Sequence, residues 1–185
     1  MQDLEHLAEQ GILDLFYGDE ANVAERATLP YAWQFPDEKS TAFMPTTQGA
    51  SLSCFALVSR DNRYHCASTK GRITAAFVFE QIDLLAGRIT KPTVLVLDNA
   101  TPHKANIIQQ ARDGWAERGL TIFYLPRYSP HLNIAEHLWK HLKYFWLQPE
   151  MYRSKQLLFY NVRLALAAFG SLLTIEFSAF GVQAK

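Results

Sequence analysis

A chain of 185 residues, 49% apolar and 13% aromatic, is long enough to bury a core as one domain, and its composition excludes a disordered polymer. Its formal net charge is zero, but residues 1–40 hold two basic and nine acidic residues whereas 101–160 hold eight and four. That polarisation leaves a nucleic-acid partner possible despite the neutral total. The N-terminal MQDLEHLAEQ lacks the apolar core of a signal peptide, and the longest uncharged run, Leu164–Ile175, is 12 residues, too short to span a bilayer. A soluble protein is expected. Cys54 and Cys66 have neither metal nor redox spacing. A hairpin turning at Asp61–Asn62 sets Cys54 opposite position 69, so both are expected to be reduced thiols of a cytosolic protein.

In chain order, residues 3–11 read as a short acidic helix or linker ending at Gly11, and Ile12–Tyr17 as a buried strand stopped by Gly18-Asp19-Glu20. Asp19 is then expected just past a strand end, where a plain turn aspartate is the competing reading. Residues 25–49, with Pro30, Pro36, Pro45 and the Tyr31-Ala32-Trp33 cluster, read as an irregular segment packed by aromatics. Ala50–Ser59 and Arg63–Ser68 form the hairpin arms. Thr74 caps a helix running to Ala86 and closed by Gly87.

Thr93–Leu97 (TVLVL) is β-branched, uniformly apolar and introduced by Pro92, which predicts a strand buried on both faces of a mixed sheet. Asp98 leaves its end in DNATPH, the place where open α/β sheets carry their chemistry, although an Asx-turn explains it equally well. Ala105–Arg118 reads as a helix and Leu120–Leu125 as a second buried strand. A Pro-bounded loop then feeds a helix whose apolar face carries Ala135, Leu138, Trp139, Leu142, Phe145 and Trp146. Glu136, Lys140 and Lys143 fall on the opposite face. Lys155–Phe169 is a further helix, and Ser171–Phe180 an apolar tail covering the sheet.

Winding these elements into one mixed sheet brings two strand ends and one helix face to a single edge. Three carboxylates gathered there repel one another unless a divalent cation lies among them. Oxygen-only ligands suit Mg²⁺ or Mn²⁺, and such a set fits two-metal displacement at phosphorus. Other chemistries fare worse. His137 and His141 share a helix face, but a zinc-protease motif needs Glu where Leu138 stands, and no third ligand is evident. No Gly-flanked serine elbow is present.

Phe16-Tyr17-Gly18-Asp19-Glu20, then Val94-Leu95-Val96-Leu97-Asp98-Asn99-Ala100 with His103, then Leu125-Pro126-Arg127-Tyr128-Ser129-Pro130 with Leu132-Asn133 and Glu136, resemble the catalytic domain of mariner-like DDE transposases of the bacterial insertion-sequence branch. The resemblance covers roughly residues 12–147, and 37 residues separate Asp98 from Glu136, close to that group's short spacing. It implies an α/β, RNase H-like mixed sheet flanked by helices, with residues 1–11 a linker or remnant of an upstream region and 12–185 the catalytic domain. It implies catalytic, metal-binding Asp19, Asp98 and Glu136, two Mg²⁺ or Mn²⁺ ions, cleavage and strand transfer on element-end and target DNA, and a homo-oligomeric active complex in the bacterial cytoplasm at the nucleoid. Two departures stand out. Ile134 follows Asn133 where the family has Pro, and only about 11 residues precede the first strand, where the family places a helix-turn-helix region. Recognition of element ends is therefore expected to be absent from this polypeptide. A catalytically silent remnant that binds DNA or partner subunits, and a stand-alone nuclease, are the alternatives.

Around that trio, Asn99 is expected to support the Asp98 loop, His103 to reach a phosphate or the attacking water, and Asn133 to cap the helix. Lys104, Arg127, Lys140 and Lys143 are candidate DNA phosphate contacts, with solvated surface charge as the competing reading. Trp139 and Trp146 are expected to be core anchors.

Overall fold

The computed structural model describes residues 1–25 and 49–177; the irregular 26–48 segment and the end of the tail expected at 178–180 lie outside the described residues. The described chain runs α1 (Gln2–Glu9), β1 (Asp14–Ala24), β2 (Ser51–Val58), β3 (Tyr64–Thr69), α2 (Ala75–Ala86), β4 (Thr93–Leu97), α3 (Asn106–Glu117), β5 (Leu120–Tyr124), α4 (Ala135–His141) and α5 (Lys155–Ala168). Short 3₁₀ turns fall at Thr101–Lys104, Pro130–Leu132 and Pro149–Arg153. Among the described residues a five-stranded sheet has the order β3-β2-β1-β4-β5. β1, β2 and β3 form an antiparallel meander, while β4 and β5 add parallel to the other side of β1.

Both faces of β2 and β4 and of the first half of β1 are covered, which explains the apolar runs of these inner strands. On one side Phe16, Phe55, Leu57, Leu95 and Leu97 pack against Val78, Ile82 and Leu85 of α2 and Ile108 and Trp115 of α3. On the other, Cys54, Ala56 and Val58 meet Leu138 and Trp139 of α4 and Leu158, Val162 and Leu166 of α5. α1 belongs to the same folded unit. Leu4 and Leu7 pack by Leu13 and Leu15, and buried Glu5 accepts from the Tyr17 hydroxyl and pairs with Arg60 Nε at 2.6 Å. Thr74 caps α2 as expected, accepting from the Phe77 N–H.

The first strand does not stop at Gly18. It continues to Ala24 because its second half pairs with β2, from Tyr17↔Val58 to Ala24↔Ser51, after leaving β4 at Tyr17↔Val96. Asp19 therefore sits in mid-strand. Gly18 is a point of close approach: a Cβ there would lie 2.5 Å from Leu97 Cδ2 and 3.0 Å from Leu57 Cδ2. Both leucines are fully buried, so they have little room to yield. Gly18→Ala is expected to cost about 1–3 kcal/mol by overpacking, read as a lower urea midpoint at unchanged slope.

Three smaller expectations are also corrected. Cys54 pairs in register with Ser68, one residue from the position expected, because the turn spanning Ser59 to Arg63 is asymmetric about Asn62, which adopts a positive φ of 63°. β5 is an edge strand with alternating burial, leaving Phe123 exposed. α4 ends at His141 and passes into one π turn, Leu142–Trp146, which rotates the following side chains. Phe145 is consequently 58% exposed, off the apolar face assigned to it, while Trp139 and Trp146 keep their places in the core.

Candidate active site

Strand alternation explains how one site arises from adjacent residues. Tyr17 and Ala21 face the α4 side of the sheet and Phe16 the α2–α3 side, so Asp19 and Glu20 leave β1 in opposite directions. Asp98 follows β4 directly, beside β1 in the parallel register. Asn133 fixes the third element. Its Nδ2 donates to Gly18 O at 3.0 Å and its Oδ1 accepts from Ala135 N at 3.1 Å. The N-cap position of α4 is Ile134, one residue later than expected; Asn133, just before it, bonds the first helical N–H and ties that helix to β1 one residue before Asp19. Ile134, where the family pattern has Pro, holds φ −67°, a value proline would share, so the substitution leaves Glu136 in the first turn.

Asp19, Asp98 and Glu136 line one open cavity of about 430 Å³, together with Asn99, Lys104, Arg127, Tyr128 and Asn133. Burial, then the Glu136 charge, then Glu20 and Asp98 push the Asp19 carboxyl up to about 7. Asp98 moves the other way. The bond from His103 Nδ1 (2.7 Å) and the Ala100 N–H (2.9 Å), both to Oδ1, hold its carboxyl below the usual range. Among the described residues no group of three or more Asp, Glu, His or Cys side chains is arranged to hold a metal ion. The three carboxylates line the same open cavity. Their chemistry fits a hard divalent cation, with all-oxygen donors, a repulsion that such a cation would relieve, and room for further oxygen ligands.

The other residues singled out in the sequence divide. Asn99 Nδ2 donates to Leu125 O, tying the Asp98 loop to the end of β5. Lys104 and Arg127 line the cavity, and Lys104 also lies over the Tyr124 ring, 5.4 Å from its centroid. Lys140 and Lys143 lie outside the cavity lining, exposed and half-buried respectively. His103 corrects its expectation. It is completely buried and faces Asp98 and Glu20, so it reaches neither a phosphate nor a water in the cavity. His141 Nδ1 is bonded to His137 O. Two residues at the site were not singled out in the sequence: Glu20, adjacent to Asp19 and on the opposite face because the strand runs through both, and Tyr128. Tyr128 is 95% exposed at the cavity rim with a φ of 61°, a conformation that local residue types gave no reason to expect.

A mixed sheet of this order, with carboxylates on β1, after β4 and on α4, defines an RNase H-like fold. It is similar to that of the Mos1 transposase in its paired-end complex with the left transposon end (TM-score 0.63, 16% identity, 90% of this chain and 52% of that one). The BIV integrase catalytic core domain is similar too (TM-score 0.51, 17% identity, 83% and 81%). The chain belongs to the DDE superfamily endonuclease family, whose model matches residues 14–158. It is also 26% identical over 131 residues to the insertion element IS630 uncharacterized 39 kDa protein of Shigella sonnei, covering 69% of this chain and 37% of that protein. The chain thus spans about half of the Mos1 transposase chain, and less of the insertion-element protein.

Proposed function

We propose that this domain is an insertion-sequence transposase catalytic domain that cleaves DNA and joins strands by in-line attack at phosphodiesters, with Asp19, Asp98 and Glu136 as its catalytic and metal-holding residues. The observation that carries this reading is the shared cavity, in which burial and neighbouring carboxylates lift Asp19 to about 7. Two ions, Mg²⁺ or Mn²⁺, held by these three side chains would stabilise charge on the attacking and leaving oxygens. Asp98 commits Oδ1 to Ala100 and His103, which leaves Oδ2 for that task. Lys104 and Arg127, which line the cavity, would contact the DNA phosphates. Lys140 and Lys143 lie further along the α4 segment and would meet DNA beyond the cavity. The partners this reading assigns are element-end and target DNA and further copies of the chain.

The test is incubation with supercoiled plasmid and a labelled oligonucleotide bearing a free 3′-hydroxyl, with Mn²⁺. Nicked plasmid together with label joined to plasmid is the expected result. Nicking without joining would mark a stand-alone nuclease. Salt-sensitive DNA binding with no cleavage would mark a silent remnant and overturn the enzymatic reading.

A further inference from the structure

Glu20 has no place in the reading above, yet its position is unusual. One of its carboxylate oxygens, Oε2, is sealed from solvent and lies 3.0 Å from Nε2 of the fully buried His103, a close charge contact, and neither atom makes an aligned hydrogen bond, to the other or to anything else. The opposite ring nitrogen, Nδ1, is bonded to Asp98 Oδ1 at 2.7 Å. The backbone of His103 is held at both its polar groups, and its ring is packed. Its N–H donates to Ala100 O at 3.0 Å, its carbonyl accepts from the Tyr124 hydroxyl at 2.7 Å, and its ring packs on Phe55 with centroids 5.9 Å apart. One imidazole therefore spans two strands, held at one nitrogen by β1 and presenting the other to the residue that follows β4.

We infer that Glu20 is a positioning residue: it fixes the His103 ring, and through that ring it fixes which oxygen of Asp98 faces the cavity. The consequence for metal binding rests on the role proposed above for Asp98. A buried polar atom facing an apolar neighbour is costly, so a ring nitrogen that loses Glu20 has reason to reorient, and Asp98 loses a fixed donor. A partner bonded directly to a metal ligand, as His103 is to Asp98, typically governs about 10–100-fold in metal affinity, and Glu20 acts on that partner. The β1 register makes the arrangement economical: adjacent residues place one carboxylate in the cavity and the other behind it.

Two measurements on the whole chain test the inference. In metal-free protein the slowly exchanging downfield imidazole proton of the Nδ1–Asp98 bond should be visible by NMR, persist in Glu20→Gln and be lost in Glu20→Leu. Mn²⁺ titration should show binding weakened about 10-fold or more in Glu20→Leu, with Glu20→Gln restoring most of it. In a His103→Asn background the effect of Glu20→Leu should vanish, because the effects of residues acting through one another do not add. Equal loss in both backgrounds would make Glu20 a direct ligand and overturn the inference. A lower melting temperature with unchanged Mn²⁺ affinity would leave Glu20 a merely structural residue and overturn it too. If wild type binds no Mn²⁺, the metal reading fails, and the proton signal alone then decides whether Glu20 holds the ring.

Discussion

Asp98→Ala is expected to reduce Mn²⁺-dependent DNA cleavage at least about 1,000-fold and to abolish the rise in melting temperature that Mn²⁺ gives the wild type. The size follows from what is removed: Asp98 is a carboxylate whose ionised form is favoured by the bonds it accepts from His103 and the Ala100 N–H. Electrostatic groups acting on the charge that develops in a transition state are individually worth about 100–1,000-fold, and a lost metal ligand removes more than one such interaction. The thermal readout is independent of catalysis. A metal that binds only the folded state raises stability by mass action, about 2.7 kcal/mol at a concentration 100 times the dissociation constant. The variant can start out more stable, since one carboxylate of a repelling group is gone, so the response to metal is the quantity to compare. A wild type that melts at the same temperature with and without Mn²⁺ would count against a metal on these carboxylates, and appreciable cleavage by Asp98→Ala would overturn its catalytic assignment.

The second large effect concerns Asp19 and pH. Its folded-state value of about 7 lies above the 3.8 of an ordinary aspartate. Between those values the folded protein retains a proton that the unfolded chain has released, so metal-free stability falls as pH rises through that interval. The penalty is absent below about pH 4 and complete above about pH 7. At roughly 1.4 kcal/mol per pKa unit the upper bound is about 4 kcal/mol, reduced by solvent screening at the open side of the cavity. Asp19→Asn should therefore be more stable than wild type at pH 8, with the difference shrinking towards pH 4. Urea unfolding at both pH values measures it. Mn²⁺ should reverse the order at pH 8, because a cation favours the ionised carboxylate that the variant lacks. A difference that does not change with pH would mean that Asp19 feels neither the burial nor the neighbouring carboxylates that the cavity arrangement gives it.

Several elements could be read from local chemistry alone. Thr74 and Gly87 bracket α2, TVLVL is β4, and the Asn133 side chain bonds the Ala135 N–H where α4 begins; each rests on interactions within a few residues. The motif resemblance likewise named the family, because Asp98, Asn133 and Glu136 lie in strongly patterned segments. What local chemistry could not show was decided by distant partners. Gly18 has the composition of a strand stop, but β2, more than 30 residues later, pairs with β1 on past it, and the space it leaves is filled by Leu97 and Leu57. β5 is apolar in sequence yet lies at the edge, so only one side of it is fully covered. His103 looks like a solvent-facing histidine at the start of a turn, and only the approach of β1 and the packing of Phe55 bury it between two carboxylates. The residue types and spacings along the chain thus determined which side chains could do chemistry. Which of them meet, and which oxygen of each is free, was decided by strand register and by the two layers of helices, since those depend on contacts between residues far apart in the chain.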